Sequence, residues 1–351
     1  MKSVLAVLCA FSAATIAVAD PFHYSWEEVA PGVHAGVRAD PARTPVMGTT
    51  VVVLGETGVI VFDGGGVPLM SERAIAYIRD LTALPVTHVV ISHWHQDHSW
   101  GISAFVRAFP SVQVISHPYT RAELLRRNPD AEQRSKTAIA EVVPGIIARL
   151  ASDEMHDHER RRLSAFVEDA DAIDSEYQRL ETVAPDLTVD GRLVIHSGDR
   201  SVELLHLGRG NTAGDLIMWV PDAGVVATGD LVVAPTPFGF GSYPGEWADT
   251  LKAVRSLSPA VLVPGHGPVQ RDTRYLDLLV ETLELVAHQM DALVAEGADE
   301  ATAVAALDFS SVEERFTGGD AFLAGRFDAW FKKPVARAAY RVASDLSPEV
   351  E

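Results

Sequence analysis

Six consecutive residues, His93-Trp94-His95-Gln96-Asp97-His98, set three imidazoles and one carboxylate on a stretch too short and too polar to be a piece of core. The run follows Thr87–Ser92, a short apolar segment that reads as a buried strand, and it precedes Gly101. Imidazole nitrogen and carboxylate oxygen are the donors that zinc and similar divalent ions prefer. On an extended loop alternate side chains share a side, so His93 and His95 point together and are able to share one ion. Asp97 and His98 then fall toward a neighbouring position. A chain built around such a run needs a rigid strand end and further ligands from elsewhere.

Two later segments supply candidates. Ala227-Thr228-Gly229-Asp230 ends a strand on an acid whose carboxylate is able to bridge two metals, and Pro264-Gly265-His266-Gly267 presents a histidine on a turn where glycines permit close backbone approach. A second acidic and histidine-rich stretch, His156-Asp157-His158-Glu159, lacks the strand-to-loop setting. On a helix, positions two apart face different ways, so it reads as solvated surface. Asp63, at the end of another strand, is a candidate to hydrogen-bond a ligand histidine, with a turn cap as its alternative. His117 is either supporting or plain packing. Asp215 reads more as a turn residue than as a supporting one, and Thr212 lies in the same loop. Trp94, Trp100, Phe238, Phe240, Tyr243 and Trp247 are candidates for an apolar pocket wall, with ordinary core aromatics as the equal alternative. The glycines at 208, 210 and 214 lack the strand-turn-helix context of a dinucleotide site, and no serine nucleophile elbow is present.

The surrounding pattern is α/β. Thr49–Leu54 and Gly58–Phe62 read as a hairpin, Ser71–Leu84 as a helix capped by Ser71, Trp100–Phe109 as a helix and Val112–Ser116 as a strand. From about 118 to 190 charged and alanine-rich helical segments take over, including Arg121–Arg127 and Ala131–Leu150, which reads as a helical insertion. Strands return at Leu193–Ile195, Val202–Leu207, Leu216–Val220, Val225–Ala227 and Pro259–Val263. Beyond residue 270 the chain is helical again, a C-terminal extension over 271–351. There Leu276, Leu279, Leu283, Val286 and Met290 recur at helical spacing, and Gly297 ends that helix.

The first 19 residues read as a secretory signal: Lys2, an apolar run from Val4 to Val18, and Ala17-Val18-Ala19 before Asp20. The apolar run is shorter than a bilayer span requires. Residues 20–270 are then the catalytic domain. The one cysteine, Cys9, lies in the leader, so the mature chain carries no disulfide and no thiolate ligand. With 29 basic against 48 acidic residues the net charge is −19, which repels phosphate backbones and argues against a nucleic-acid substrate.

Together, the hairpin, Val61-Phe62-Asp63-Gly64-Gly65, the histidine run, Gly208-Arg209-Gly210-Asn211-Thr212-Ala213-Gly214-Asp215, Thr228-Gly229-Asp230 and Gly265-His266-Gly267 resemble the metallo-β-lactamase superfamily. The resemblance covers roughly residues 32–269. It implies an αββα sandwich with metals at one edge. His93 and His95 would then belong to a first metal, Asp97, His98 and His266 to a second, and Asp230 would bridge them. One departure stands out: Asn211 occupies the place where the family has a third histidine for the first metal. It leaves the count at one or two zinc ions, with Asn211 a possible ligand. The implied activity is hydrolysis of an ester, lactone, thioester or amide of a small molecule by a metal-held hydroxide, with Asp97 as the catalytic carboxylate, in a periplasmic or secreted protein. Asp230 stands where family β-lactamases carry Cys or Ser, which ranks β-lactam cleavage lower; a non-catalytic periplasmic binding protein is the other alternative.

Overall fold

The computed structural model describes residues 20–40, 43–152, 155 and 157–348. The expected leader with Cys9, and His156, lie outside the described residues. Two sheets face one another. The first has seven strands in sequence order: β1 (Ser25–Ala30), β2 (Val33–Val37), β3 (Thr50–Leu54), β4 (Val59–Phe62), β5 (Val86–Val90), β6 (Gln113–Ser116) and β7 (Leu187–Thr188). Strands β1 to β4 are antiparallel, and β4 to β7 run parallel. The second sheet holds β8 (Arg192–Ser197), β9 (Arg200–Leu205), β10 (Ile217–Val220), β11 (Val225–Ala227) and β12 (Val261–Val263), ordered β12-β11-β10-β9-β8. Only its β11–β12 pair is parallel.

The period of two along each strand explains the layers. Val51, Val53, Ile60 and Phe62 face Leu204, Met218, Val225 and Val263 across the space between the sheets. The alternate residues Val52, Val59 and Val61 turn outward beneath α1 (Pro68–Leu81) and a helical segment that includes α2 (Gln96–Ser99) and α3 (Ser103–Ala108). Strands covered on both faces are apolar throughout, which is why the sequence shows runs there rather than alternation. On the far side, Leu205, Ile217, Val226 and Leu262 are covered by helices downstream. The architecture is an αββα sandwich.

The insertion is a pair of packed helices, α4 (Pro118–Leu150) and α5 (Asp157–Tyr177). Ile139, Ala170 and Ile173 sit on Phe22, Tyr24, Met47, Val67 and Met70. Two buried acids pin the pair: Asp169 bonds Arg43, and Glu176 accepts the Leu69 amide at 2.8 Å. Sequence reading divides α4 near Pro129. The structure carries one helix of 33 residues through both Pro129 and Pro144. A proline removes one ladder bond, and the tertiary contacts of this helix override that loss.

Below the second sheet lie α6 (Pro244–Ser256), α7 (Arg274–Ala295), α8 (Glu300–Ala306), α9 (Glu313–Thr317), α10 (Ala321–Phe327), a π turn (Asp328–Lys332) and α11 (Lys333–Ala343). Trp247, Leu251, Leu279, Leu283, Phe327 and Phe331 share one core there. Fully burying each such side chain contributes about 1.5–3 kcal/mol. The C-terminal helices therefore belong to the sandwich's outer layer.

Three local expectations change. Helix α1 starts at Pro68, a residue preorganised for a first turn. Ser71 is inside it, and its hydroxyl donates to the Gly64 carbonyl at 2.6 Å instead of capping. The metal-ligand run is not extended throughout, because α2 begins at Gln96. The end of the insertion also returns to the first sheet, as β7 beside β6.

Candidate metal centre

The site lies where strands end. Asp63 follows β4, Ser92 and His93 follow β5, Asp230 follows β11 and His266 follows β12. Two backbone bonds lock the sheets together at this edge: Leu216 N–H to Ser92 O at 2.8 Å, and Thr49 N–H to Gly265 O at 2.8 Å. Gly265 has to be glycine, since a Cβ there would strike the Asp230 carboxylate and the Gly229 backbone.

Two groups of donors result. Ligand atoms of His93, His95 and Asp230 form one, and those of Asp97, His98 and His266 the other, each within 4.8 Å of one another. In the first, His93 Nε2 faces His95 Nδ1 at 2.8 Å and Asp230 Oδ2 at 3.7 Å. In the second, His266 Nε2 lies 3.2 Å from His98 Nε2 and 3.0 Å from Asp97 Oδ2. Asp230 Oδ1 reaches this group as well, 3.1 Å from His98 Nε2 and 3.4 Å from His266 Nε2. One carboxylate thus presents one oxygen to each group.

Asp63 organises both. Its φ of 61° is left-handed, a conformation that aspartate tolerates better than most residues. Its Oδ1 accepts the Ser92 amide, and its Oδ2 accepts the Ser92 hydroxyl, each at 2.8 Å. His98 Nδ1 lies 2.8 Å from the same Oδ2, and His93 Nδ1 lies 2.9 Å from Ser92 Oγ. The Ser92 proton is committed to Asp63, so His93 donates from Nδ1 to Ser92, and His98 donates from Nδ1 to Asp63. Both Nε2 lone pairs are then aimed into the donor groups. Sequence reading picked out Asp63 but missed Ser92, whose signal was its place at the strand end before the first histidine.

Electrostatics follow from burial. Burial holds the His93 imidazole well below its ordinary value, reinforced by His95, His98 and His266. Burial also lowers His95, against the pull of Asp230 and Asp97. His98 moves well upward: burial opposes its charge, but Asp230, Asp97 and Asp63 together favour it. Burial likewise opposes ionisation of Asp97 and Asp230, yet the facing histidines hold both below the usual carboxylate range. The donor set suits a hard-to-borderline divalent cation, with nitrogen and oxygen converging and no thiolate.

Asn211 is 1% exposed. Its Nδ2 donates to Phe238 O at 3.0 Å, while its Oδ1 is buried and has no partner among the described residues. Asp215 shapes this loop by accepting the Thr212 amide at 2.8 Å and hydroxyl at 2.9 Å. His117 caps α4, accepting the Tyr119 amide at 3.1 Å, and its Nε2 lies 3.5 Å from Asp190; these contacts run to the helix and loop, not to a ligand of either group. His206 packs on His117 with ring centroids 4.3 Å apart and stays outside both groups. His158 is on α5, with its ring against Phe322.

A cavity of ≈ 380 Å³ opens over the donors, within the range of small-molecule pockets. Of the expected aromatics, Phe238 and Trp100 line it, Trp94 and Phe240 line a separate cavity of ≈ 80 Å³ beside Asn211, and Trp247 lies in the core under the second sheet. Tyr243 is buried elsewhere, with Arg209 stacked 4.3 Å from its ring. The rest of the wall was not foreseen: Met47, Tyr177 from the insertion, and Arg326 and Trp330 from the C-terminal helices.

An αββα sandwich with paired His/Asp donor groups at one edge defines the class. The chain belongs to the metallo-beta-lactamase superfamily, whose family pattern matches residues 43–266. Among curated proteins, it is 25% identical over 109 residues to a thioesterase of Emericella nidulans, covering 30% of this chain and 32% of that one. It is 22% identical over 256 residues to a linear primary-alkylsulfatase of a Pseudomonas species, covering 68% of this chain and 45% of that one. Among solved structures, the stereoselective inverting sec-alkylsulfatase of a Pseudomonas species aligns with a TM-score of 0.61 at 15% identity, over 91% of this chain and 50% of that one. The chain therefore spans less than half the length of these two curated relatives.

Proposed function

We propose that the protein is a zinc-dependent hydrolase of small-molecule esters or thioesters, exported after loss of its leader. The observation that carries this reading is Asp230, which offers one carboxylate oxygen to each of two histidine-rich donor groups at the floor of an open cavity. His93, His95 and Asp230 would hold one ion; Asp97, His98 and His266 would hold the other with Asp230. When bound, the metal supplies Lewis acidity, which activates water and polarises the scissile group.

The chain's own residues do the rest. Asp97 lines the cavity as a carboxylate whose Oδ2 faces the histidines, so it is placed to hold the metal and orient water beside it. Phe238, Trp100 and Met47 restrict solvent and favour an apolar substituent. No covalent enzyme intermediate is required. The names of the thioesterase and alkylsulfatase relatives fit hydrolysis of a bond to an acyl or sulfo group. The test combines metal counting with turnover of an ester, thioester, lactone and cephalosporin panel. Two zinc equivalents, activity lost on chelation and activity nearly lost in Asp97→Ala are expected. Full activity in the metal-free protein would overturn the proposal; a stably loaded site without turnover would favour a binding protein.

A further inference from the structure

Arg326 sits on α10, far along the chain from the donor residues, yet it lines the same cavity as His95, Asp97, Asp230 and His266. Among the described residues that line the cavity it alone carries a permanent positive charge. It is 7% exposed. Buried arginines are ordinarily paired with a carboxylate or with several carbonyls. Among the described residues, this guanidinium has no hydrogen bond and no ion pair, and its Nε is buried without a partner. Neighbouring charges do not fill the gap, because Arg162 and Asp40 are paired with each other. Its one ring contact is Trp330, with the guanidinium carbon 4.2 Å from the ring centroid. Such stacking orients the plane of the group but leaves its donors unused. Burial pushes this guanidinium down to about 10, so it remains charged at neutral pH.

The wall between Arg326 and the metal donors is aromatic. Trp330 touches Phe238 with centroids 6.1 Å apart, and Phe238 touches His95 with centroids 5.5 Å apart. The path thus begins at a cation, runs along two apolar rings and ends at the donor groups. In a protein of net charge −19, a desolvated cation kept free at the end of that path calls for an anionic partner from outside the chain.

We infer that Arg326 is a specificity-determining residue that binds a carboxylate at the far end of the substrate, so that the enzyme's substrates are amphiphiles with an apolar stem between that carboxylate and the scissile ester or thioester. A guanidinium fork matches a carboxylate in two parallel hydrogen bonds. The inference rests on the cavity being the substrate site of the proposed hydrolase.

The test uses the metal-loaded full chain and two matched esters, mono-4-nitrophenyl adipate and 4-nitrophenyl hexanoate, which differ in the distal carboxylate. The wild type is expected to favour the adipate ester in kcat/KM. In Arg326→Met that preference should fall at least tenfold, mainly through KM, and Arg326→Lys should restore part of it. Calorimetric titration with octanoate and octanamide gives a reading independent of turnover, with octanoate binding at least tenfold weaker in Arg326→Met. An unchanged preference in a folded variant, equal losses on both esters, or octanoate affinity indifferent to Arg326 would overturn the inference. If Arg326→Met does not fold, the wild-type preference and Arg326→Lys decide, and no preference in the wild type overturns it. If the wild type cleaves neither ester, the hydrolase reading is what fails in that assay, and the octanoate titration alone decides for or against the carboxylate site.

Discussion

Replacing Asp63 with asparagine changes one atom type and should reverse the proton pattern of both donor groups. In the wild type the two oxygens of Asp63 accept three hydrogen bonds, from the Ser92 amide, the Ser92 hydroxyl and His98 Nδ1. In Asp63→Asn the amide oxygen must stay on the Ser92 amide, since the opposite orientation sets two donors face to face. The new amino group then points at Ser92 Oγ and His98 Nδ1 and donates to both. His98 is driven to carry its proton on Nε2, and the freed Ser92 hydroxyl donates to His93 Nδ1 with the same result there. Each imidazole would present a hydrogen where a cation needs a lone pair. Loss of such an outer hydrogen bond typically weakens metal binding 10–100-fold, about 1.4–2.7 kcal/mol. Asparagine also accepts the left-handed backbone at this position, so the metal-free fold should lose only about 1 kcal/mol. Competition against a chromophoric chelator, followed by elemental analysis, reads the affinity of each equivalent. Ser92→Ala should weaken the equivalent held by His93 more than the other. Two ions bound by Asp63→Asn within twofold of wild-type affinity would refute the claim that Asp63 sets the tautomers.

Gly265→Ala should prevent both donor groups from closing, because its methyl collides with the Asp230 carboxylate and the Gly229 backbone. Overpacking of this kind costs about 1–3 kcal/mol, and metal analysis should find fewer than one equivalent bound. Asn211→His should tighten the weaker metal equivalent at least tenfold if the unpartnered Asn211 oxygen faces the first ion; chelator competition showing no change would exclude that placement. Trp247→Ala should destabilise the outer layer by about 3–5 kcal/mol in denaturant unfolding, because a fully buried ring and its hydrogen bond to Leu231 O are lost together.

The sequence was legible where chemistry is local. His93, His95, Asp97 and His98 are adjacent, and Asp230 and His266 each close a short apolar strand, so residue type and setting together mark them. Their placement in one centre follows from parallel strand ends meeting at one edge of two sheets. The cavity wall was not legible in the same way. Tyr177, Arg326 and Trp330 reach the centre only because amphipathic helices pack on distant faces, and helical periodicity names the buried face without naming its partner. Helix α4 was divided at Pro129 for a related reason, since local propensity speaks for the isolated segment while packing against Trp100 and Met47 decides the folded one.

The same division of labour explains why the centre suits a cation. Asp63, His93, His98, Asp230 and His266 are each no more than 4% exposed, and Asp97 joins them at the cavity floor. Three carboxylates and their imidazoles held this close have two routes to neutrality: protons on the rings or a metal between them. Burial opposes a proton on His98, yet Asp230, Asp97 and Asp63 together favour it, whereas burial and the neighbouring imidazoles disfavour one on His93. A divalent cation would answer the carboxylates without charging any imidazole, while Asp63 and Ser92 keep the ring protons of His98 and His93 on the outer nitrogens. A frame that fixes Asp63 in a left-handed backbone and seats Gly265 against Asp230 therefore suits a bound cation, whose binding free energy would add to the stability of the fold.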